Sequence, residues 1–223
     1  MSIKVGMIGA GAIAQDHCKN INAYPDARVV AVADLSQERR EQIKKSCNID
    51  RDYEKWEDLV KDPGIDAVAI ALPNSLHAPV SLAALSNNKH VLLDKPFALN
   101  FKEASKVAAM AKQKKKILML GMNQRYRNDA QTLRAIVARN ELGEIYHTKA
   151  YWCRRMGSPK FGTWFVNKEL SGGGCLLDIG VHFLDLSLYL INNWDPVSVT
   201  GRVYGKFGHR GIGEGGWGKS DRN

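Results

Sequence analysis

Short apolar runs alternate with helical patterns through residues 1–121. The runs Ile3–Ile8, Arg28–Asp34, Ala67–Leu72, His90–Asp94 and Ile117–Gly121 are rich in Val, Ile, Leu or Ala and lack polar alternation. That is how strands buried on both faces read. Between them Ala12–Ala23, Ser36–Ser46, Trp56–Lys61, Pro79–Leu85 and Phe101–Lys112 carry helical spacing. Strand and helix in strict alternation predict an α/β fold with a parallel, doubly wound sheet and right-handed crossovers. After Gly121 the pattern changes. Asp129–Asn140 reads as a helix, Glu144–Cys153 and Val197–Tyr204 as strands, and Leu176–Ile191 as a strongly apolar helix behind the turn Gly172-Gly173-Gly174. The stretch Gly205–Asn223 has seven glycines and too few apolar residues for a core, so a loop or a frayed end is expected. A boundary near residue 122 therefore divides the chain into 1–122 and 123–223.

The first candidate chemistry follows the first strand. Gly9-Ala10-Gly11-Ala12-Ile13-Ala14 fits G-x-G-x-x-[GA]. In such a loop the first glycine permits the tight turn and the second lets backbone approach a pyrophosphate. The third small residue keeps helix and sheet close. The helix start then offers N–H groups and a positive dipole end to phosphate, with Ala12 and Ile13 in its first turn. The second strand ends in Asp34, where an acidic residue binds a ribose hydroxyl. Its carboxylate repels a 2′-phosphate, which predicts NAD in preference to NADP. Arg39 and Arg40 nearby are the counter-signal.

Two further constellations stand at strand ends, where ligands of open α/β sheets bind. Pro73, Asn74 and His77 follow the third run; alone they read equally as a turn with a helix cap. Asp94-Lys95-Pro96 ends the next run, and Pro96 biases Lys95 toward an extended backbone. A lysine there can bond a substrate hydroxyl or stabilise a developing alkoxide. In the second unit Asp178 and His182, four apart, share a face of the apolar helix. Buried polar groups in such a helix need partners or a task. A carboxylate beside an imidazole orients the ring and favours its protonated form.

Composition narrows the classes. Of 223 residues 44% are hydrophobic and 25% charged, ordinary for a globular chain. No run of eighteen apolar residues predicts a membrane span, and no secretion signal is evident. Four cysteines without a CxxC pair argue against zinc or a disulfide framework, so no metal is expected and a cytoplasmic setting fits. The net charge of +9 resides in residues 101–155, with thirteen Lys+Arg against four Asp+Glu. Without stacking aromatics or a recognised motif, this reads as a solvated surface and not a nucleic-acid site.

The segments GAGAIAQDH, ALPNSLH, DKP, GMNQRYRN, ELGEI and GGGCLLDIGVHFLD, in this order, resemble the Gfo/Idh/MocA family of sugar and inositol oxidoreductases. Asp94 stands where that family usually has Glu. The resemblance implies an N-terminal Rossmann domain followed by an α/β domain with an open-faced, mainly antiparallel sheet, incomplete here as in a C-terminal truncation. It implies an NAD-dependent oxidoreductase acting on a sugar or polyol bound between the two domains, and a homo-oligomer at full length. Lys95, Asp178 and His182 match its catalytic residues. Gly9, Gly11, Asp34, Pro73, Asn74, His77, Lys95, Pro96, Asn123 and Arg125 fall on its cofactor segments, and Trp164 falls where a sugar pocket is lined. An NAD-retaining glycoside hydrolase and a non-catalytic dinucleotide-binding regulator are the competing readings of the same resemblance.

Overall fold

The computed structural model of the chain describes residues 2–153, 157–212 and 215. They divide into two units, Met1–Gly121 and Met122–Asn223.

The first unit is a six-stranded parallel sheet. Its strands are β1 (Ile3–Ile8), β2 (Ala27–Ala33), β3 (Arg51–Tyr53), β4 (Ala67–Ile70), β5 (His90–Leu93) and β6 (Leu118–Leu120), in the order β3-β2-β1-β4-β5-β6. Its helices are α1 (Ala12–Asn22), α2 (Gln37–Cys47), α3 (Trp56–Lys61), α4 (His77–Ser86) and α5 (Phe101–Lys114). Successive side chains of a strand point to opposite faces, so each buried strand feeds two cores. Met7, Val29 and Val32 pack with Ala14, Cys18 and Ile43 of α1 and α2. Ile8, Val68, Ile70, Val91 and Leu93 pack with Leu59, Val80, Leu85 and Val107 of α3, α4 and α5. Two helical layers thus cover both faces, and the apolar runs need no polar alternation.

Helix limits follow local chemistry. Ser36 Oγ accepts from the Arg39 N–H at the start of α2, and Asn48 in the left-handed region ends it. Asn100 Oδ1 accepts from the Glu103 N–H at the start of α5. Helix α4 begins at His77 rather than Pro79, because a tight turn over Asn74–Leu76 leads into it. Strand β3 was not expected. Its sequence, Arg-Asp-Tyr, has no apolar pattern; it forms because the edge of Ala31–Ala33 offers a ladder and it is exposed on its outer side.

The second unit packs α6 (Asn128–Ala138) against α8 (Val181–Ile191), with a short α7 (Lys168–Ser171) between them in sequence. Arg134 Nη1 donates to the Leu190 carbonyl at 3.0 Å. The strands expected at Glu144–Cys153 and Val197–Tyr204 are not formed among the described residues, and the antiparallel sheet is absent there. Both stretches carry no regular secondary structure and are almost wholly exposed. A strand exists only where a neighbour takes its N–H and C=O groups, and β propensity cannot substitute for that partner. Of the glycine-rich stretch, Gly205–Ile212 holds one tight turn at Gly208–Arg210, and most of the remainder lies outside the described residues. By length and mean hydropathy of 1.6, the run Lys168–Ile191 could cross a membrane. Within that run His182 and Asp185 are buried, and Asp185 is paired with Arg125.

Candidate dinucleotide and catalytic site

Strand β1 delivers the chain to Gly9, whose φ is +97°. A Cβ there would stand 2.2 Å from the Ala71 carbonyl oxygen, so only glycine fits this turn. The Gly9 N–H donates to the Ala33 carbonyl at 2.8 Å, and the Ala10 N–H to Asp34 Oδ2 at 2.9 Å. Asp34 Oδ1 accepts from the Ser36 N–H at 2.9 Å. The loop is thereby stitched to the end of β2. Gly11 starts α1 with no side-chain cap, and a Cβ on it would meet nothing within 4 Å. Ala12 and Ile13 beyond it are exposed. An uncapped helix start, open space over Gly11 and a fixed loop fit a pyrophosphate.

The ribose end carries opposed charges. The Asp34 side chain is mostly buried, and exposed Arg39 holds Nη1 3.9 Å from its Oδ2. Arg40 is committed elsewhere, donating to the Asp34 carbonyl at 2.7 Å and to Asp52 at 2.8 Å. Only Arg39 of the pair stands beside Asp34 with its guanidinium turned largely to solvent.

The ends of β4 and β5 lie on the same edge of the sheet. Asn74 is buried behind partly exposed Pro73. His77 is only 1% exposed. Its Nδ1 faces the Pro96 carbonyl at 2.6 Å and its Nε2 the Leu72 carbonyl at 2.9 Å. Both partners are acceptors, so a neutral ring donates to one and only the imidazolium to both. Burial, the larger influence, draws its pKa below the ordinary value. His77 therefore ties two strand-end loops together. The Lys95–Pro96 peptide bond is cis, and Lys95 is partly exposed. Asp94 Oδ1 meets His17 Nε2 of α1 at 2.9 Å.

In the second unit, Leu176–Gly180 forms a widened π-helical turn that runs directly into α8. Asp178 lies in that turn, partly buried, and His182 in the first turn of α8, buried. Widened turns of this kind are common at functional positions. Exposed Asn123 opens a tight turn that also holds Arg125. Arg125 forms a two-point ion pair with Asp185, one arm at 2.7 Å, and its guanidinium lies 5.2 Å from the ring centres of Tyr189 and Trp194. The Asp185 hydrogen bond pushes the Arg125 pKa up. Trp164 stacks on Phe165 with centroids 3.7 Å apart.

Three polar side chains with structural ties here had no role in the sequence reading: His17, Asp94 and Asp185. The available signal for His17 was position. It falls between Ala14 and Cys18, which α1 turns to the sheet, so a polar ring there requires a partner.

Residues 3–122 match the family described as "Oxidoreductase family, NAD-binding Rossmann fold", and residues 130–214 match the "GFO/IDH/MocA C-terminal domain". The chain is 34% identical over 212 residues to a D-glucoside 3-dehydrogenase of Escherichia coli, covering 92% of this chain and 59% of that protein. It is 31% identical to a glucose-6-phosphate 3-dehydrogenase of Bacillus subtilis, covering 85% and 54%. A solved NAD-binding protein from Listeria innocua superposes with a TM-score of 0.75 at 29% identity, covering 86% and 56%. The chain thus spans little more than half the length of the relatives it matches.

Proposed function

The chain belongs to the GFO/IDH/MocA family of NAD-binding oxidoreductases, and from that premise we propose that it serves a dehydrogenase that oxidises a sugar or polyol hydroxyl. One observation carries the reading most. Lys95 stands at the carboxyl end of β5, on the same sheet edge as the Gly9–Ala14 loop that ends β1, with only β4 between those strands. A cationic residue therefore shares a sheet edge, two strands away, with a loop that fits a pyrophosphate.

The residues divide the work. The free N–H groups at the start of α1 take the pyrophosphate. Asp34 accepts from the ribose hydroxyls; a carboxylate has about four lone-pair positions, and the two backbone N–H groups leave room for more. The nicotinamide, when bound, supplies the hydride acceptor. His182 takes the proton of the substrate hydroxyl as the C–H bond gives up its hydride and the carbonyl forms. Lys95 donates a hydrogen bond to that oxygen and stabilises its developing negative charge. Asp178 orients the imidazole and favours its protonated form once the proton has moved. The likeness to sugar 3-dehydrogenases supports a polyhydroxylated substrate.

The test is a panel of sugars, inositols and sugar phosphates offered with NAD and with NADP, followed by the absorbance of the reduced cofactor. Reduction of NAD by at least one polyol is expected. Glycoside cleavage without net cofactor reduction, or dinucleotide binding with no turnover on any polyol, would overturn the reading.

A further inference from the structure

We propose that His17 is a positioning residue for Lys95: from the helix that opens at the dinucleotide loop, its imidazole holds the Asp94 carboxylate and so fixes the turn that presents the lysine. The inference rests on the role given to Lys95 above and deepens it.

Strands β1 and β5 are not neighbours, since β4 lies between them. No ladder bond therefore connects α1, which follows β1, to the end of β5. The 2.9 Å contact of His17 Nε2 with Asp94 Oδ1 makes that connection across 77 residues of sequence. Asp94 is held at its backbone too, its N–H donating to the Ile70 carbonyl at 3.1 Å. Gly121, at the exit of β6, is a near neighbour: a Cβ there would lie 3.4 Å from Asp94 Oδ1, in ordinary van der Waals contact. The carboxylate thus meets the histidine of α1 and neighbours the exit of β6. The residue after Lys95 is fastened as well, through the Pro96 carbonyl at 2.6 Å from His77 Nδ1. Lys95 is bracketed on both sides, and its backbone cannot shift without breaking one of these bonds.

The pair is ill suited to a purely stabilising role. Both side chains are about a quarter exposed, and partly exposed ion pairs contribute little to folding. Its geometry matters more: it couples the helix that receives the pyrophosphate to the lysine that receives the substrate oxygen. The Asp94 hydrogen bond, and more weakly the charges of Asp94 and Asp16, hold the imidazole in its protonated form to higher pH.

The first arm of the experiment needs no turnover. Trace acetylation of the chain, with each lysine quantified by peptide mass spectrometry, compares the parent with His17→Ala, His17→Phe and His17→Gln at matched melting temperature. The labelling rate of Lys95 is expected to rise several-fold in the first two, to stay near the parent in His17→Gln, which keeps an N–H donor, and to be unchanged at Lys4 and Lys112. His17→Phe keeps the ring volume should the alanine variant fail to fold. The second arm is a double-mutant cycle on the active protein. His17→Ala should lower kcat by about tenfold to a hundredfold, the cost of misplacing a catalytic group by roughly 1 Å, yet cost nothing further on a Lys95→Ala background. Unchanged Lys95 labelling, or an equal kcat loss in both backgrounds, would overturn the inference. Should Lys95→Ala itself leave kcat intact, the catalytic reading of Lys95 falls, while the labelling arm still decides whether His17 holds the turn.

Discussion

The carboxylate of Asp34 accepts a hydrogen bond from the backbone N–H of Ala10, 24 residues earlier, at 2.9 Å. One side chain at the end of β2 therefore anchors the loop that ends β1. Its second oxygen receives the Ser36 N–H, which turns the chain into α2.

Asp34→Ala removes this anchor together with the acceptor for ribose hydroxyls. NAD affinity should fall by roughly tenfold to a hundredfold, as expected when hydrogen bonds to a charged group are lost. The preference over NADP should narrow, since Arg39 remains beside the site. Calorimetric titration with both dinucleotides measures this. Equal affinity of the parent protein for the two would contradict the assignment.

Gly9 and Gly11 should respond differently to a methyl group. At Gly9 the positive φ and the Ala71 carbonyl at 2.2 Å from a built Cβ oppose alanine, so Gly9→Ala should lose about 1–3 kcal/mol of stability or more. Gly11→Ala enters open space and should leave the denaturation midpoint nearly unchanged while weakening NAD. Urea denaturation and NAD titration of the two variants separate structural strain from lost ligand approach.

His17 should titrate above the ordinary histidine value, because Asp94 stabilises its charged form more than burial disfavours it. The raised pKa sets the sign of the linkage. The pair's stabilisation is fully present below about pH 6.5 and is lost as the pH rises through the raised folded value. Nuclear magnetic resonance of the imidazole resonances reads it directly. Asp94→Asn should return the His17 pKa toward or below the ordinary value; a pKa that does not move would assign the shift to another group.

Lys89 is 5% exposed and donates to the carbonyls of Asp62 at 2.6 Å and Ile65 at 2.7 Å. Lys89→Met keeps the stem and leaves two carbonyls without that donor. A loss of about 1–3 kcal/mol is expected, with NAD affinity unaltered. Chemical denaturation beside a dinucleotide titration tests both halves.

His182→Ala in the active protein should lower turnover by roughly a hundred- to ten-thousandfold, the range for removing a general base, with modest change in NAD affinity. Steady-state kinetics on the substrate found in the panel decides it. Unchanged turnover would remove His182 from the chemistry.

The first unit was legible because its signals are local and strong. Five of the six strands are apolar runs, four of them largely buried and edge strand β6 partly exposed, and Gly9 and Asp34 announce themselves by position after β1 and β2. Element ends shifted by a few residues where caps decide, as at α4. Strand β3 escaped because its pairing comes from a neighbour and not from its own residues. Glu144–Cys153 and Val197–Tyr204 failed for the converse reason: β-branched and aromatic residues favour a pleated surface, but no ladder reaches them here.

The site divides the same way. By itself the chain's order of residues determined the doubly wound sheet, the glycine loop and which polar side chains stand at strand ends, because strand period and turn chemistry act over a few neighbouring residues. Only the tertiary structure decided the partners: His17 with Asp94, His77 with two carbonyls, Arg125 with Asp185. These contacts join residues five to 77 positions apart, and packing and crossovers, rather than local preference, bring their atoms within hydrogen-bonding distance.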